Sequence, residues 1–215
     1  MTYKSLLSLF SFCTNFIFAA GSAFAGEVFV GITAQQSTLF ISEKNSETDF
    51  AEMESNLYFL PALAVRSENK YFNEASNWGH FLEFNAGYYN VNRQVVNGST
   101  VNLQTKLSGH YLDLTPTIFY NFGSREQESW GFKAGLGIGV GYLSTSGSTV
   151  LTEKIGQPIA TYDDNSFGFT AGLFFEAKSN DWFVQVKGYG PIVEVGDSEL
   201  QLANIKMTFG KMFDF

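Results

Sequence analysis

From Trp130 to Tyr142 the chain alternates without a break. Trp130, Phe132, Ala134, Leu136, Ile138, Val140 and Tyr142 take the even positions, and Gly131, Lys133, Gly135, Gly137, Gly139 and Gly141 the odd ones. A period of two sends successive side chains to opposite faces of a strand, so this segment has one large apolar face and one small or polar face. The pattern recurs at Trp78–Tyr88, where His80, Leu82, Phe84 and Ala86 oppose Phe81, Glu83, Asn85 and Gly87. It recurs again at Leu112–Phe122 and Phe167–Ala177, and in Ala203–Phe215, where Ile205, Met207, Phe209, Phe213 and Phe215 oppose Asn204, Lys206, Thr208, Gly210 and Asp214. The composition agrees: 21 glycines, 23 phenylalanines and 10 tyrosines among 215 residues suit an all-β chain rich in turns. A net charge of −8 leaves nothing for nucleic-acid phosphates to bind.

Two barrels fit such strands. A soluble, lipocalin-like barrel turns the apolar faces inward, but large aromatics on every strand would overfill an interior of about eight strands. A lipid-facing barrel puts glycines and charges inside and leaves aromatics at the strand ends, as membrane girdles require. The second arrangement is the one expected. Trp78, Trp130 and Trp182 recur every 52 residues, each after a polar turn, and so mark a repeating up-down unit and a membrane interface. The expected fold is an eight-stranded antiparallel transmembrane up-and-down β-barrel. Its strands are placed near 27–41, 56–66, 78–94, 107–122, 130–144, 166–178, 182–190 and 201–215. The turns before the tryptophans are short and periplasmic, and the connections near 42–55, 95–106, 145–165 and 191–200 are long and external. A two-residue turn at Ser179-Asn180 pairs Ala177 with Trp182 and keeps both outward. The same rule at Asn97-Gly98 would set Leu82 against Asp113, so a bulge is expected before Leu112.

The first 25 residues read as a cleaved signal. Lys4 gives a basic start, Leu6–Ala20 an apolar run too short to remain in a membrane, and Ala23-Phe24-Ala25 the cleavage site. Residues 26–215 then form the barrel, without the single Cys13, and no further domain is expected after it. An exported chain without disulfides points to a bacterial product stabilised by packing and closure.

An export signal, about eight amphipathic strands and a terminal Phe215 with Phe209 and Phe213 in step resemble the small bacterial outer-membrane β-barrels. These are the class of outer membrane proteins A (its transmembrane part), X and W. The resemblance implies residence in the outer membrane among lipid and lipopolysaccharide, a monomer, and a C-terminal signal of Phe209, Phe213 and Phe215 read by the barrel-assembly machinery. Lys211 departs from the pattern, because it falls on the lipid-facing register close enough to the interface to snorkel.

The inward register collects Arg66, Glu83, Asp113, Lys133, Glu176, Lys178, Lys187 and Lys206. Charges of both signs in a narrow lumen should pair, giving a salt-bridged plug. A narrow aqueous passage for a small or hydrophobic solute is the alternative. The Gly135–Gly141 stripe either makes room for inward Tyr111, Phe119 and Phe174 or forms a groove. Some small barrels remodel lipid A, and Ser108 and His110 share one face near an outer strand end. No carboxylate falls beside His110 to orient it, and the histidine-before-serine order of lipid A deacylases is reversed, so no enzyme is expected. His80, beside Trp78, reads as an interfacial residue. The outer segments carry Glu43, Glu47, Asp49, Glu52, Glu54 and Asp163-Asp164-Asn165, which suit solvated loops or divalent-cation bridges to lipopolysaccharide. No cofactor or metal motif is present. The expected role is structural or surface-interacting.

Overall fold

A computed structural model describes residues 26–43, 50–97, 101–123, 130–151, 158–195 and 198–214. The expected targeting signal with Cys13, and the terminal Phe215, lie outside the described residues. Ten strand segments run in chain order: β1 (Gly26–Glu43), β2 (Phe50–Glu54), β3 (Tyr58–Ser67), β4 (Lys70–Tyr71), β5 (Trp78–Asn97), β6 (Val101–Asn121), β7 (Gly131–Leu151), β8 (Pro158–Ser179), β9 (Trp182–Val195) and β10 (Ser198–Asp214). Every pairing is antiparallel, each long strand lies beside its sequence neighbour, and β1 closes the ring on β10 from Glu27↔Asp214 to Glu43↔Ser198. The short β2 and β3 both pair with β1 and form one stave interrupted at Ser55–Leu57, while β4 is a two-residue flap on β5. The ring therefore has eight staves. Closure gives both edges of every stave a neighbour, as a sheet without a free edge requires.

Three sequence expectations need correction. The supposed long loops at 95–106, 145–165 and 191–200 are mostly strand, since β5 runs to Asn97, β6 starts at Val101, β7 reaches Leu151, β8 starts at Pro158 and β9 and β10 approach to Val195 and Ser198. Asp163-Asp164-Asn165 and Glu52 and Glu54 accordingly stand on strands, while Glu47 and Asp49 lie outside the described residues. Around Asn97-Gly98 the ladder runs uninterrupted from Asn97↔Val101 to Trp78↔Tyr120, with Leu82 opposite Pro116. Three intervening residues instead of two change the parity, so no bulge is needed. The last tight turn sits one residue later than expected: Ser179 pairs with Trp182, Ala177 with Val184, and Asn180 takes the left-handed conformation at φ 52°. Moving both partners by one leaves every side chain on its expected face, and Asn is among the few non-glycine residues suited to that φ.

The longer strands carry an alternation whose sign reverses part-way up. On β6, Leu107, Gly109 and Tyr111 are buried inward while Lys106, Ser108 and His110 face out. Past Tyr111, the inward residues are Asp113, Thr115 and Thr117, and the outward ones are Leu112, Leu114, Pro116 and Ile118. β1 reverses between Leu39 and Ser37 on its inner face, β10 between Leu202 and Asn204, and β8 on its outer face between Asn165 and Phe167. One end of the barrel is built like a soluble protein and the other is inside out. Over the inside-out end, β7 turns Phe132 through Tyr142 outward, about 34 Å of strand at about 3.4 Å per residue. At a tilt of about 40° this stretch is about 26 Å high, close to the apolar band of a membrane barrel.

Candidate functional site

The lumen at the inside-out end is organised around Arg66, contributed by β3 and fully buried. Its Nε and Nη2 donate to Glu83 Oε2 at 3.2 and 3.0 Å, and Nη1 and Nη2 donate to Glu176 Oε1 and Oε2 at 3.4 and 3.0 Å. Glu27 lies 3.9 Å away. The guanidinium is stacked between rings, 4.3 Å from the Phe29 centroid and 4.0 Å from that of Phe81. A planar fork can satisfy two carboxylates edge-on while its faces lie on aromatics, which an ammonium could not do.

Each carboxylate also has a lysine: Lys178 with Glu27 at 3.2 Å, Lys133 with Glu176 at 3.9 Å, and Lys187 in close contact with Glu83 Oε1. Gln185 donates to Glu176, and Asn85 donates at 2.9 Å to both Glu83 and Asp113. Asp113 receives Thr115 Oγ1 as well. Lys206 stands apart, with its ammonium over the rings of Tyr111 and Tyr189 at 4.8 and 4.9 Å. The eight inward charges read from sequence thus all face the lumen. Seven share a salt-bridge or hydrogen-bond network with Glu27, and Lys206 is joined to it only through the tyrosines.

Above the charges the tyrosines form a lid. Tyr189 donates to Tyr111 at 2.6 Å, and Tyr111 donates to Gln35. Beyond them Leu39, Met53, Tyr89, Val91, Leu107, Leu143, Val193, Leu200 and Leu202 fill the barrel as one apolar core. Only Met53, Val193 and Leu200 of this layer fall in the expected loops; Leu39, Tyr89, Val91, Leu107, Leu143 and Leu202 stand at the ends of expected strands, where a single inside-out sign of alternation does not reveal an apolar interior. Sequence reasoning also missed Glu27, which lies immediately beyond the expected cleavage site. The glycine stripe does make room for an inward ring, because a Cβ on Gly135 would stand 2.7 Å from Phe174. Phe119 and Tyr111 lie instead against Gly79 and Gly87: a Cβ on Gly79 would fall 2.6 Å from the Phe119 ring, and one on Gly87 would overlap Tyr111.

The lumen holds a cavity of about 50 Å³ beside Lys206 and a second of about 10 Å³ beside Phe174. The larger reaches a flaw in the wall. Backbone pairing between β3 and β5 is limited to Ala64↔Asn85, Val65↔Phe84 and Arg66↔Glu83, and that between β2 and β5 to Glu54↔Asn92. Side chains bridge part of the interval, as Tyr58 Oη and Gln35 Nε2 both donate to the Tyr88 carbonyl at 3.2 and 3.1 Å. Leu60, Pro61 and Ala62 on one side and Ala86 and Gly87 on the other line the cavity mouth.

No protein-family model matches the chain, and no curated protein does. Among solved structures it is similar to Ail, the attachment invasion locus protein of Yersinia pestis, at 15% identity over 87% of this chain and 99% of that one, with a TM-score of 0.37. It is similar to the outer membrane protein OprG from Pseudomonas aeruginosa at 13% identity over 90% and 96%, with a TM-score of 0.41. Neisserial surface protein A aligns at 9% identity over 88% and 97%, with a TM-score of 0.38. These are small outer-membrane β-barrels. At such identities the likeness bears on fold alone, and the ring of eight staves rests on this chain's own pairing.

On the outer wall Trp78, Trp130 and Trp182 are 51, 55 and 51% exposed at the short-turn end. Phe209 and Phe213 also face outward there, and Lys211 pairs with Asp181 at 3.2 Å on the final turn. Ser108 and His110 lie on the outside of β6 rather than in the lumen, with the His110 ring against Tyr88 at 5.5 Å. His80 stacks on Phe72 at 5.6 Å at the tryptophan end of β5.

Proposed function

We propose that the protein is an integral barrel of a bacterial outer membrane, with a closed lumen and a structural or surface-interacting role. The short turns and both ends of the described chain face the periplasm, and the long hairpins stand outside the cell among lipopolysaccharide. The observation that carries this reading is the reversal of alternation. Below it Leu173 and Ile205 are 67 and 66% exposed, which suits hydrocarbon, and above it the outer face is Ser, Thr, Asn, Asp and Lys, which suits water. Closure is supported twice over. The lower lumen is filled by the Arg66 network and the upper by an apolar core, and the cavities beside Lys206 and Phe174 have room for a few waters at most.

Reconstitution into planar bilayers tests the reading. Wild-type protein should give no discrete conductance steps. Steps whose size changes with Lys133→Ala or Glu83→Ala would make the lumen a channel and overturn the closed reading. Lipid A mass spectra should be unchanged when the protein is deleted or overproduced, and an altered acyl pattern would overturn the non-enzymatic role.

A further inference from the structure

Lys206 and Lys187 are direct cross-strand partners on β10 and β9, and both point into the lumen. Like charges in that position repel, so each needs an anion. Lys187 has Glu83. Among the described residues Lys206 forms no ion pair. A cation over two tyrosine faces recovers part of its lost hydration, but its three N–H donors still call for acceptors. The buried Asn204 Nδ2, on the same face of β10, has no hydrogen-bond partner, and neither has the buried Asp113 Oδ2.

The cavity supplies the space. Its polar lining includes Lys206, Lys187, Glu83, Asn85, Gln35 and Thr208, and its volume of about 50 Å³ exceeds the roughly 15 Å³ that one water needs. Its mouth at Ala62 and Ala86 opens where the wall has no backbone ladder, on the belt that carries exposed Phe59. We propose that this cavity binds one small monoanion of carboxylate type, held by the Lys206 ammonium between the two tyrosines. The shared chemistry is a carboxylate head, taken either from a free small acid or from a single-chain fatty acid whose tail leaves through the gap between β3 and β5 into the belt. Only the fatty-acid source rests on the membrane placement proposed above.

The test uses protein purified from the membranes of cells expressing the full chain and placed in phosphatidylcholine nanodiscs. Carboxyl-labelled ¹³C formate and ¹³C laurate are titrated separately, and the bound carboxyl resonance is followed. A saturable site of one anion per barrel is expected. Lys206→Met should weaken it by at least about tenfold, as loss of a desolvated ammonium–carboxylate pair implies, while Lys206→Arg stays within about threefold. Lys133→Met, on the far side of the Arg66 network, should leave it unchanged. Ala62→Phe, which fills the mouth, should remove laurate and spare formate, and it decides the matter if Lys206→Met loses its heat-dependent gel shift. Formate binding assigns the free acid as a source even if the barrel lies outside a membrane, and laurate binding alone assigns the lipid. No saturable carboxylate, leaving a water-filled cavity only, overturns the proposal. Equal binding by wild type, Lys206→Met and Ala62→Phe overturns it as well.

Discussion

Replacing Arg66 by methionine removes the one side chain that touches three buried carboxylates, and the structure sets the size of the effect. Breaking a buried pair by deleting one partner costs about 3–5 kcal/mol, mostly for the charge left behind. Here no carboxylate is left wholly alone, since Glu83 keeps Lys187, Glu27 keeps Lys178 at 3.2 Å and Glu176 keeps Lys133 at 3.9 Å. The low end, about 3 kcal/mol, therefore applies. Loss of the stacking on Phe29 and Phe81 adds about 1 kcal/mol, and methionine refills the space of the stem. Arg66→Met should thus lose about 4 kcal/mol in urea unfolding from lipid vesicles, followed by tryptophan emission and by the heat-dependent gel shift. Neutralising the worst-served carboxylate should return part of the loss. Glu176 has the longest lysine contact, so Arg66→Met with Glu176→Gln should recover about 1–2 kcal/mol, and Arg66→Met with Glu83→Gln should recover less. A loss under about 1 kcal/mol for Arg66→Met would refute the reasoning, because the network would then be decoration. So would full additivity of the Arg66→Met and Glu176→Gln losses.

Other substitutions probe the two ends of the barrel separately. Leu202→Ala, at a fully buried position of the outer apolar core, should cost about 2–4 kcal/mol in the same urea titration. A loss below about 1 kcal/mol would mean that this layer is loosely packed. Leu136→Lys, in the middle of the belt, should cost about 2–4 kcal/mol in lipid vesicles. Ser146→Lys, on the same outward register but above the reversal, should stay within about 0.5 kcal/mol of wild type, and equal effects would place the belt wrongly. Asn180→Val forces a β-branched residue into φ 52° and should cost about 1–2 kcal/mol, whereas Asn180→Gly should be neutral, both read as shifts of the urea midpoint.

What could be read from the sequence, and what could not, follows from the range of the interactions. Parity is local: once Trp130–Tyr142 is a strand, Lys133 must face away from Phe132, and the same step places Glu83, Asp113, Glu176 and Lys206 inside. Partnership is not local. Arg66 meets Glu176 across 110 residues of sequence, and which lysine serves which carboxylate depends on how far the register advances around the ring. The outer half of the barrel was hidden for a different reason. Ser144–Thr149 has the composition of a loop, and only its pairing with Lys106 and Thr161 and the inward turn of Leu143 and Thr145 reveal a strand. The alternation was present throughout, but it was sought with a single sign. A strand that leaves hydrocarbon for water must exchange its faces, so the reversal at Tyr111 and Leu112 is itself the boundary mark. The break at Ser55–Leu57 has no such periodic mark. It changes the register between β2 and β3 and leaves Lys206 beside an unladdered wall. The least periodic three residues of the barrel thereby bring a lumen cation, a cavity and a gap in the ladder together.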